Sequence, residues 1–141
     1  MKISVLHSAN PNSNSMRVVE RIRDRIGISD FHVTAPQVPD DAEMAWIIVV
    51  PNYGDGEIQA VMETYLVATR LPFRRFAVVE LGNYYGFDDW GYGAADKVRR
   101  LLESRGGKLF FSNLSMDSLP KMDWPTLDRW ISALQSEIAH V

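Results

Sequence analysis

Residues 7–15 form a run of small hydroxyl and amide side chains, His-Ser-Ala-Asn-Pro-Asn-Ser-Asn-Ser, between an apolar run and a helical pattern. A strand that ends in such a loop and opens into a helix points backbone N–H groups and the positive end of the helix dipole at one spot, which suits a phosphate. No residue of the run carries a negative charge that would repel an anion. The same residue types also favour turns and helix N-caps without a ligand, so the run fits either a phosphate site or a simple cap.

Two further loops combine glycine with aromatic side chains. Residues 51–56 contain Tyr53, and residues 82–93 contain Tyr84, Tyr85, Phe87, Trp90 and Tyr92. Such rings can stack on the faces of a flat aromatic ligand. A planar ligand that also carries a phosphate would therefore use all three loops. Because each face of the ligand takes one ring, some of the aromatic side chains in residues 82–93 must pack elsewhere.

The spacing of apolar residues predicts strands that alternate with helices. We predict strands at residues 3–6, 31–34, 46–50 and 76–81, and a last strand that begins at 109–111. We predict helices at residues 16–26, 58–69 and 94–105, and a final helix that starts at 123–125. Gly27 and the pair Gly106-Gly107 are expected to end the first and third helices, and residues 40–44 are expected to form one helical turn at most.

This alternation predicts a single α/β domain over residues 1–141, with a doubly wound five-stranded parallel sheet in the order 2-1-3-4-5 and helices on both faces. Ligands of such sheets bind beyond the carboxyl ends of the strands, where the winding reverses, here between the first and third strands. The loops expected to meet there are residues 8–15, 51–57 and 82–93. We call them the first, second and third loops.

The composition is that of a globular protein of one domain, with 141 residues, 46% hydrophobic and 23% charged. The absence of cysteine excludes disulfides and thiolate chemistry. The start of the chain, Met1-Lys2-Ile3-Ser4, lacks the apolar segment of a signal peptide, and no apolar run approaches the roughly 20 residues of a membrane span. We therefore expect a cytoplasmic protein with no membrane partner.

Acidic side chains are concentrated in the middle of the chain. Residues 40–96 contain 10 acidic and 3 basic residues, a net charge of −7, whereas the rest of the chain contains 8 acidic and 12 basic residues, a net charge of +4. Nucleic acid is therefore not expected as a partner, whereas a positively charged protein surface is. His7, His32 and His140 are scattered, and we expect none of them to lie near a partner for metal binding or acid–base work.

The chain resembles the flavodoxin family over nearly its whole length, including its ending from Gly106 through a loop at residues 115–120 to the last helix. The resemblance implies a flavodoxin-like fold with FMN as the cofactor. The family's phosphate loop, Thr/Ser-x-Thr-Gly-x-Thr, corresponds here to Asn10-Pro11-Asn12-Ser13-Asn14-Ser15, with serine in place of glycine and no threonine. The first loop is also similar to the serine-rich loop of flavodoxin-fold flavin reductases, in which case Ser8, Asn10, Ser13 and Ser15 would make the contacts.

The other two loops resemble the segments with which the family holds the flavin ring. Tyr53-Gly54-Asp55 stands where the family often has an aromatic residue followed by Gly-Asp, packed on the inner face of the ring, and glycine permits the peptide there to reorient. Leu81-Gly82-Asn83-Tyr84-Tyr85-Gly86 resembles the segment that binds the pyrimidine edge and covers the outer face. Tyr85 is favoured for that cover, and Tyr84, Phe87 and Trp90 stay open as alternatives.

The resemblance thus implies a cofactor site with no catalytic side chain and no metal ligand. Its implied residues are Ser8, Asn10, Asn12, Ser13, Asn14, Ser15, Asn52, Tyr53, Gly54, Asp55, Gly82, Asn83, Tyr84, Tyr85, Gly86 and Trp90.

A flavin held in this way, without a nearby acid, base or second substrate pocket, suits an electron carrier that shuttles single electrons between redox proteins. Two alternatives share the fold: an FMN- and NAD(P)H-dependent reductase, and a flavodoxin-like activator of a metalloenzyme such as manganese ribonucleotide reductase. A phospho-receiver signalling module is disfavoured, because it needs acids where this chain has His7-Ser8 and Val50-Pro51.

The expected partners are redox proteins, with a flavin reductase as donor and a metalloprotein or flavoprotein as acceptor. Four acids of the second and third loops, Asp55, Glu57, Asp88 and Asp89, would steer basic partners to the exposed flavin edge. We expect the protein to be a monomer.

Overall fold

The computed structural model of the chain describes residues 2–53, 56–68, 75–83 and 93–139. The strands in these ranges are β1 (Lys2–His7), β2 (Ser29–His32), β3 (Met44–Pro51), β4 (Arg75–Gly82), β5 (Lys108–Leu109) and β6 (Leu114–Asp117). The helices are α1 (Asn14–Ile26), α2 (Ala60–Ala68), α3 (Gly93–Glu103) and α4 (Trp124–Ala139). Every predicted strand and helix is therefore present, with ends that differ from the prediction by a few residues. No helix of the described ranges is both long enough and apolar enough to cross a membrane.

The sheet is parallel and its strands run in the order β2-β1-β3-β4-β5, with β6 also paired to β4. This confirms the predicted order 2-1-3-4-5. From β1 the chain passes through α1 to β2 at one edge, and then returns past β1 to β3, so the winding reverses between β1 and β3. The connection between β2 and β3, residues 33–43, contains turns and no helix.

The last strand position is divided between β5 and β6, which the sequence did not indicate. The Phe110 N–H still donates to the Phe76 carbonyl of β4 at 2.9 Å, and the ladder is interrupted after it. The Asn113 side chain then replaces a strand carbonyl by accepting a hydrogen bond from the backbone N–H of Val78 at 2.9 Å. The indole N–H of Trp130 donates to the Ser112 carbonyl at 2.9 Å. These bonds give partners to backbone groups that the interruption of the strand leaves unpaired, and pairing with β4 resumes at β6. Residues 115–117 therefore lie in a strand, so the prediction of a loop at 115–120 was wrong for these three residues.

Alternating side chains of the two central strands build a core on each face of the sheet. Ile47 and Ala77 pack with α1 and α4 on one face, while their neighbours Ile48 and Val78 pack with α2 and α3 on the other. Strands covered on both faces are expected to be continuously apolar, as β3 and most of β4 are. A double-sided core of this kind holds the carboxyl ends of β1, β3 and β4 side by side at one edge of the sheet.

Capping residues mark where the helices begin and end. Ser13 is the N-cap of α1, and its hydroxyl accepts a hydrogen bond from the Met16 N–H at 3.1 Å. Gly27 ends the same helix in the left-handed conformation, at φ 77°. Asp123 caps α4 by accepting from the Thr126 N–H at 3.3 Å, and it also accepts from the Thr126 hydroxyl at 2.6 Å. The first loop is therefore joined to a helix whose N-terminal turn is well formed.

Candidate functional site

The described parts of the three loops lie together at the carboxyl edge of the sheet. The Ser8 hydroxyl of the first loop donates to the side-chain carbonyl of Gln59, which follows the second loop. The Asn14 amide donates to the Ser118 carbonyl at 3.3 Å, and the Ser118 N–H donates to the Gly82 carbonyl at 2.8 Å. These contacts connect the first loop to the segment just after the second loop and, through Ser118, to Gly82 at the start of the third. The predicted meeting of the loops is thus observed for their described residues.

The first loop turns sharply before α1 begins. Asn12 adopts the left-handed conformation, at φ 65°, and both the N–H and the hydroxyl of Ser13 donate to the Asn10 carbonyl, at 3.2 and 2.7 Å. Among the described residues, no protein group accepts from the backbone N–H groups of Asn12, Asn14 and Ser15. Free donors at a helix N-terminus, together with the helix dipole, form a place suited to an anion.

Several side chains of the first loop that the sequence offers as ligands have protein partners. Ser8 contacts Gln59, Ser13 caps α1, and Asn14 contacts the Ser118 carbonyl. Asn10 and Asn12 are exposed, whereas Ser15 is buried in the first turn of α1. The anion-binding capacity of the loop therefore lies chiefly in its backbone N–H groups.

His7, the last residue of β1, has polar and aromatic partners that its place in the sequence did not indicate. The ring is 4% exposed; its Nδ1 accepts from the Ala9 N–H at 3.1 Å, and its Nε2 lies 3.0 Å from Asp30 Oδ2. The His32 ring packs edge-on against it, with centroids 5.3 Å apart. Burial, together with the neighbouring His32, lowers the pKa of His7 below its ordinary value, although Asp30 acts in the opposite direction. His140 lies outside the described residues.

The second loop places an aromatic ring at the rim of the edge. Tyr53 is 62% exposed, and its backbone N–H donates to the Glu57 carbonyl at 2.8 Å, which closes the turn. Gly54 and Asp55 lie outside the described residues. Gly56 has φ 79°, and a Cβ built on it would lie 3.1 Å from the carbonyl carbon and oxygen of Gly93. The second loop therefore contacts the first turn of α3 backbone to backbone.

Glu80 is a buried carboxylate that the sequence reasoning missed. It is fully buried near the end of β4; its Oε2 accepts from the Ala94 N–H at 3.0 Å and the Asn52 amide at 3.3 Å, and its Oε1 accepts from the Ser115 hydroxyl at 2.6 Å. These donors come from α3, the second loop and β6. Glu80 thus ties the elements around the second and third loops together. An acidic residue within an apolar strand could have indicated this role, because a carboxylate buried there needs polar partners.

The third loop is described only at its two ends. Gly82 ends β4 and accepts from Ser118, as given above, and Asn83 is exposed. The predicted ring-binding residues Tyr84, Tyr85, Gly86 and Trp90 lie outside the described residues, as do Phe87, Asp88 and Asp89. Where the chain is described, no group of three or more histidine and acidic side chains is arranged to hold a metal ion.

A cavity of about 440 Å³ adjoins the first turn of α1 and contains two basic side chains. It is lined by Asn14, Arg17, Ser118, Leu119, Pro120, Lys121, Met122 and Trp124. The guanidinium of Arg17 lies over the Trp124 ring, 5.3 Å from its centroid. Arg17 and Lys121 therefore add positive charge on the same side of the molecule as the free N–H groups of the first loop.

Comparison with solved structures places the chain in the class of flavodoxin-like α/β proteins. Flavodoxin 1 of Bacillus cereus, in its oxidised form, matches with a TM-score of 0.73 at 15% identity, over 100% of this chain and 99% of that chain. The flavodoxin of Streptococcus pneumoniae TIGR4 matches with a TM-score of 0.72 at 18% identity, over 100% of both chains. A flavodoxin of Fusobacterium nucleatum bound to flavin mononucleotide matches with a TM-score of 0.69 at 18% identity, over 96% and 98% of the two chains.

These likenesses establish that the chain has the flavodoxin fold over its full length, as the resemblance in sequence implied. No protein-family model matches the chain. No curated protein matches it either.

Proposed function

We propose that this protein is a flavodoxin, which binds FMN at the carboxyl edge of its sheet and carries single electrons between redox proteins. The observation that carries the proposal is the contact of the first loop with Gln59, just after the second loop, and, through Ser118, with Gly82 at the start of the third loop, where the winding reverses. The fold is shared over 96% of this chain with an FMN-bound flavodoxin. Ligands of doubly wound sheets bind at this point.

The first loop fits the phosphate of FMN. It offers the N–H groups of Asn12, Asn14 and Ser15 at the start of a helix, and no acidic side chain. Backbone donors at a helix N-terminus bind phosphate without needing the threonines of the family motif. The departure of residues 10–15 from that motif therefore changes which atoms donate, while the loop remains suited to an anion.

The second loop fits a flat ring. Tyr53 presents an exposed aromatic ring at the rim, and an exposed large aromatic group is suited to stacking on a ligand. The close contact of Gly56 with Gly93 and the anchoring of Glu80 hold this part of the edge at a fixed position relative to α3. We propose that Tyr53 covers the inner face of the flavin, and that Gly82, Asn83 and one of the rings of residues 84–90 bind its other side.

Bound FMN would supply the one-electron and two-electron chemistry. The residues of the chain hold it: backbone N–H groups of the first loop bind the phosphate, Tyr53 packs on the ring, and Glu80 fixes the loops around it. Glu57 has a side chain that is 66% exposed. We propose that it attracts basic redox partners together with the three other acids of the second and third loops, Asp55, Asp88 and Asp89. Electron transfer requires a fixed and accessible ring, so no acid or base from the chain is assigned a step.

Titration of the purified protein with FMN tests this proposal. We expect binding of one FMN with quenched flavin fluorescence, stepwise one-electron reduction, and transfer of electrons from a flavin reductase to an acceptor such as cytochrome c. Rapid oxidation of NAD(P)H by the protein alone would instead support a reductase. A protein that does not bind FMN would contradict the proposal altogether.

A further inference from the structure

His7 lies at the junction between the rigid sheet and the first loop. It is the last residue of β1, and its ring bonds to groups on both sides of that junction. On the loop side, Nδ1 accepts from the Ala9 N–H at 3.1 Å. On the sheet side, Nε2 lies 3.0 Å from Asp30 Oδ2 in β2. The loop is thus connected through the imidazole to the neighbouring strand.

The donor in the Ala9 contact fixes the protonation state of the ring. A backbone N–H can only donate, so Nδ1 must be unprotonated to accept from it. The proton of the neutral ring is therefore on Nε2, where it is donated to Asp30. A doubly protonated His7 would place an N–H at Nδ1 against the Ala9 N–H, and this contact would be lost.

The charged and titratable groups around the ring come from β2 and α1. Asp30 and His32 lie on β2, and Arg23 of α1 donates to Asp30 Oδ1 at 3.2 Å. On β3, the register partner of His7 is the apolar Val49. Burial lowers the pKa of His7 and His32 acts in the same direction, while Asp30 opposes them. Burial and the Ala9 contact therefore both favour the neutral form of the ring.

We propose that His7 is a positioning residue for the first loop, and that the loop holds its phosphate-binding form only while the Nδ1 atom of His7 accepts from Ala9. That the ligand of the first loop is a phosphate monoester rests on the proposed function. If the Ala9 contact is lost when His7 gains a proton, the affinity of the protein for the phosphate falls on acidification. The positive charge that His7 gains would by itself attract an anion, so a fall in affinity reports the loss of the Ala9 contact.

Two substitutions separate the contacts of the ring. In His7→Asn, the side-chain oxygen occupies the place of Nδ1, accepts from Ala9 and does not titrate. In His7→Gln, the polar atoms lie near the place of Nε2, so the contact with Asp30 is kept and the one with Ala9 is lost. His32→Gln is the matched control, because His32 Nδ1 accepts from the Thr34 N–H at 3.1 Å in the same way, but in the loop after β2.

The test is the FMN dissociation constant measured by fluorescence quenching between about pH 8 and about pH 5. We expect the dissociation constant of the wild type to rise by about tenfold more than that of His7→Asn over this range, because only the wild type gains a proton at the Nδ1 atom that accepts from Ala9. The phosphate titrates in both proteins, so the comparison removes its contribution. His7→Gln should bind weakly at every pH. His32→Gln should keep the pH-dependent loss of affinity of the wild type, displaced to slightly higher pH because His32 no longer lowers the pKa of His7. Equal pH profiles for the wild type and His7→Asn would overturn the inference.

A second measurement on the ligand-free protein separates this inference from the proposed function. The ¹⁵N NMR signal of the Ala9 amide should move with the titration of the His7 ring in the wild type and stay fixed in His7→Asn. If the wild type does not bind FMN, the proposed function fails, and the Ala9 signal still decides the role of His7. An Ala9 amide that ignores the titration of His7 would overturn the positioning role.

Discussion

Asn12 is the residue at which charge in the first loop can be changed without changing its shape. It adopts φ 65°, a conformation that asparagine, aspartate and glycine tolerate. Asn12→Asp adds one negative charge, and we expect the FMN dissociation constant to rise about tenfold, because like charges in a partly solvated site repel by on the order of 1–2 kcal/mol. Fluorescence quenching measures the change.

Two controls show whether this effect comes from the phosphate. Asn12→Gly preserves the left-handed turn without a charge, and it should bind FMN nearly as the wild type does. Riboflavin lacks the phosphate, so its affinity should be the same for Asn12→Asp and the wild type. A loss of riboflavin affinity by the same factor as FMN affinity would contradict a phosphate contact at this loop.

Glu80 is the residue whose removal should cost the most stability at the carboxyl edge. Glu80→Ala leaves the donors of Ala94, Asn52 and Ser115 without their shared acceptor. We expect the free energy of unfolding to fall by about 2–4 kcal/mol, measured by urea denaturation. Glu80→Gln keeps one acceptor oxygen for Ala94 and an amide that can donate to Ser115, so it should lose about half as much. Equal losses in the two variants would contradict an anchoring role based on hydrogen bonds.

At the scale of elements, the contact between the second loop and α3 depends on two glycines. Gly56→Ala puts a Cβ 3.1 Å from the Gly93 carbonyl at φ 79°, whereas Gly27→Ala has φ 77° and no neighbouring atom within 4 Å. Both variants should lose about 1–2 kcal/mol of unfolding free energy from the left-handed backbone. Gly56→Ala should lose more, because the loop must also move away from α3.

The same pair of variants relates this packing to the proposed cofactor. A displaced second loop moves Tyr53, so Gly56→Ala should bind FMN several-fold more weakly, whereas Gly27→Ala, at the far end of α1, should bind it normally. Urea denaturation and FMN titration of both proteins provide the two readouts. An unchanged FMN affinity in Gly56→Ala would argue against a role of the second loop in holding the ring.

At the scale of the whole molecule, FMN should stabilise the fold by mass action. A ligand that binds only the folded state adds about 2.7 kcal/mol at a free concentration about one hundred times its dissociation constant. For a domain of this size, we expect Tm to rise by roughly 5–10 °C in scanning calorimetry. Riboflavin at the same concentration should raise it less, because it makes no phosphate contact. A Tm that FMN leaves unchanged would be inconsistent with a site in the folded protein.

The sequence determined the strands, the helices and their order in the sheet, because each depends on patterns within a short segment. The apolar runs of β3 and β4 fit strands buried on both faces, and Ser13, Gly27 and Asp123 fit helix ends. Crossovers are right-handed, and ligands bind where the winding reverses. This local information was therefore enough to predict that the three loops lie at one edge of the sheet.

Only the tertiary structure decided which polar side chains from different elements meet. The bonds of Glu80 to Asn52 and Ser115, of His7 to Asp30, and of Arg21 to Asp128 in α4 join residues 23 to 107 positions apart. Such pairs leave no periodic signal, because each partner is an ordinary polar residue in its own segment. The same reason explains the division between β5 and β6, where the side chain of Asn113 completes the hydrogen bonding of β4.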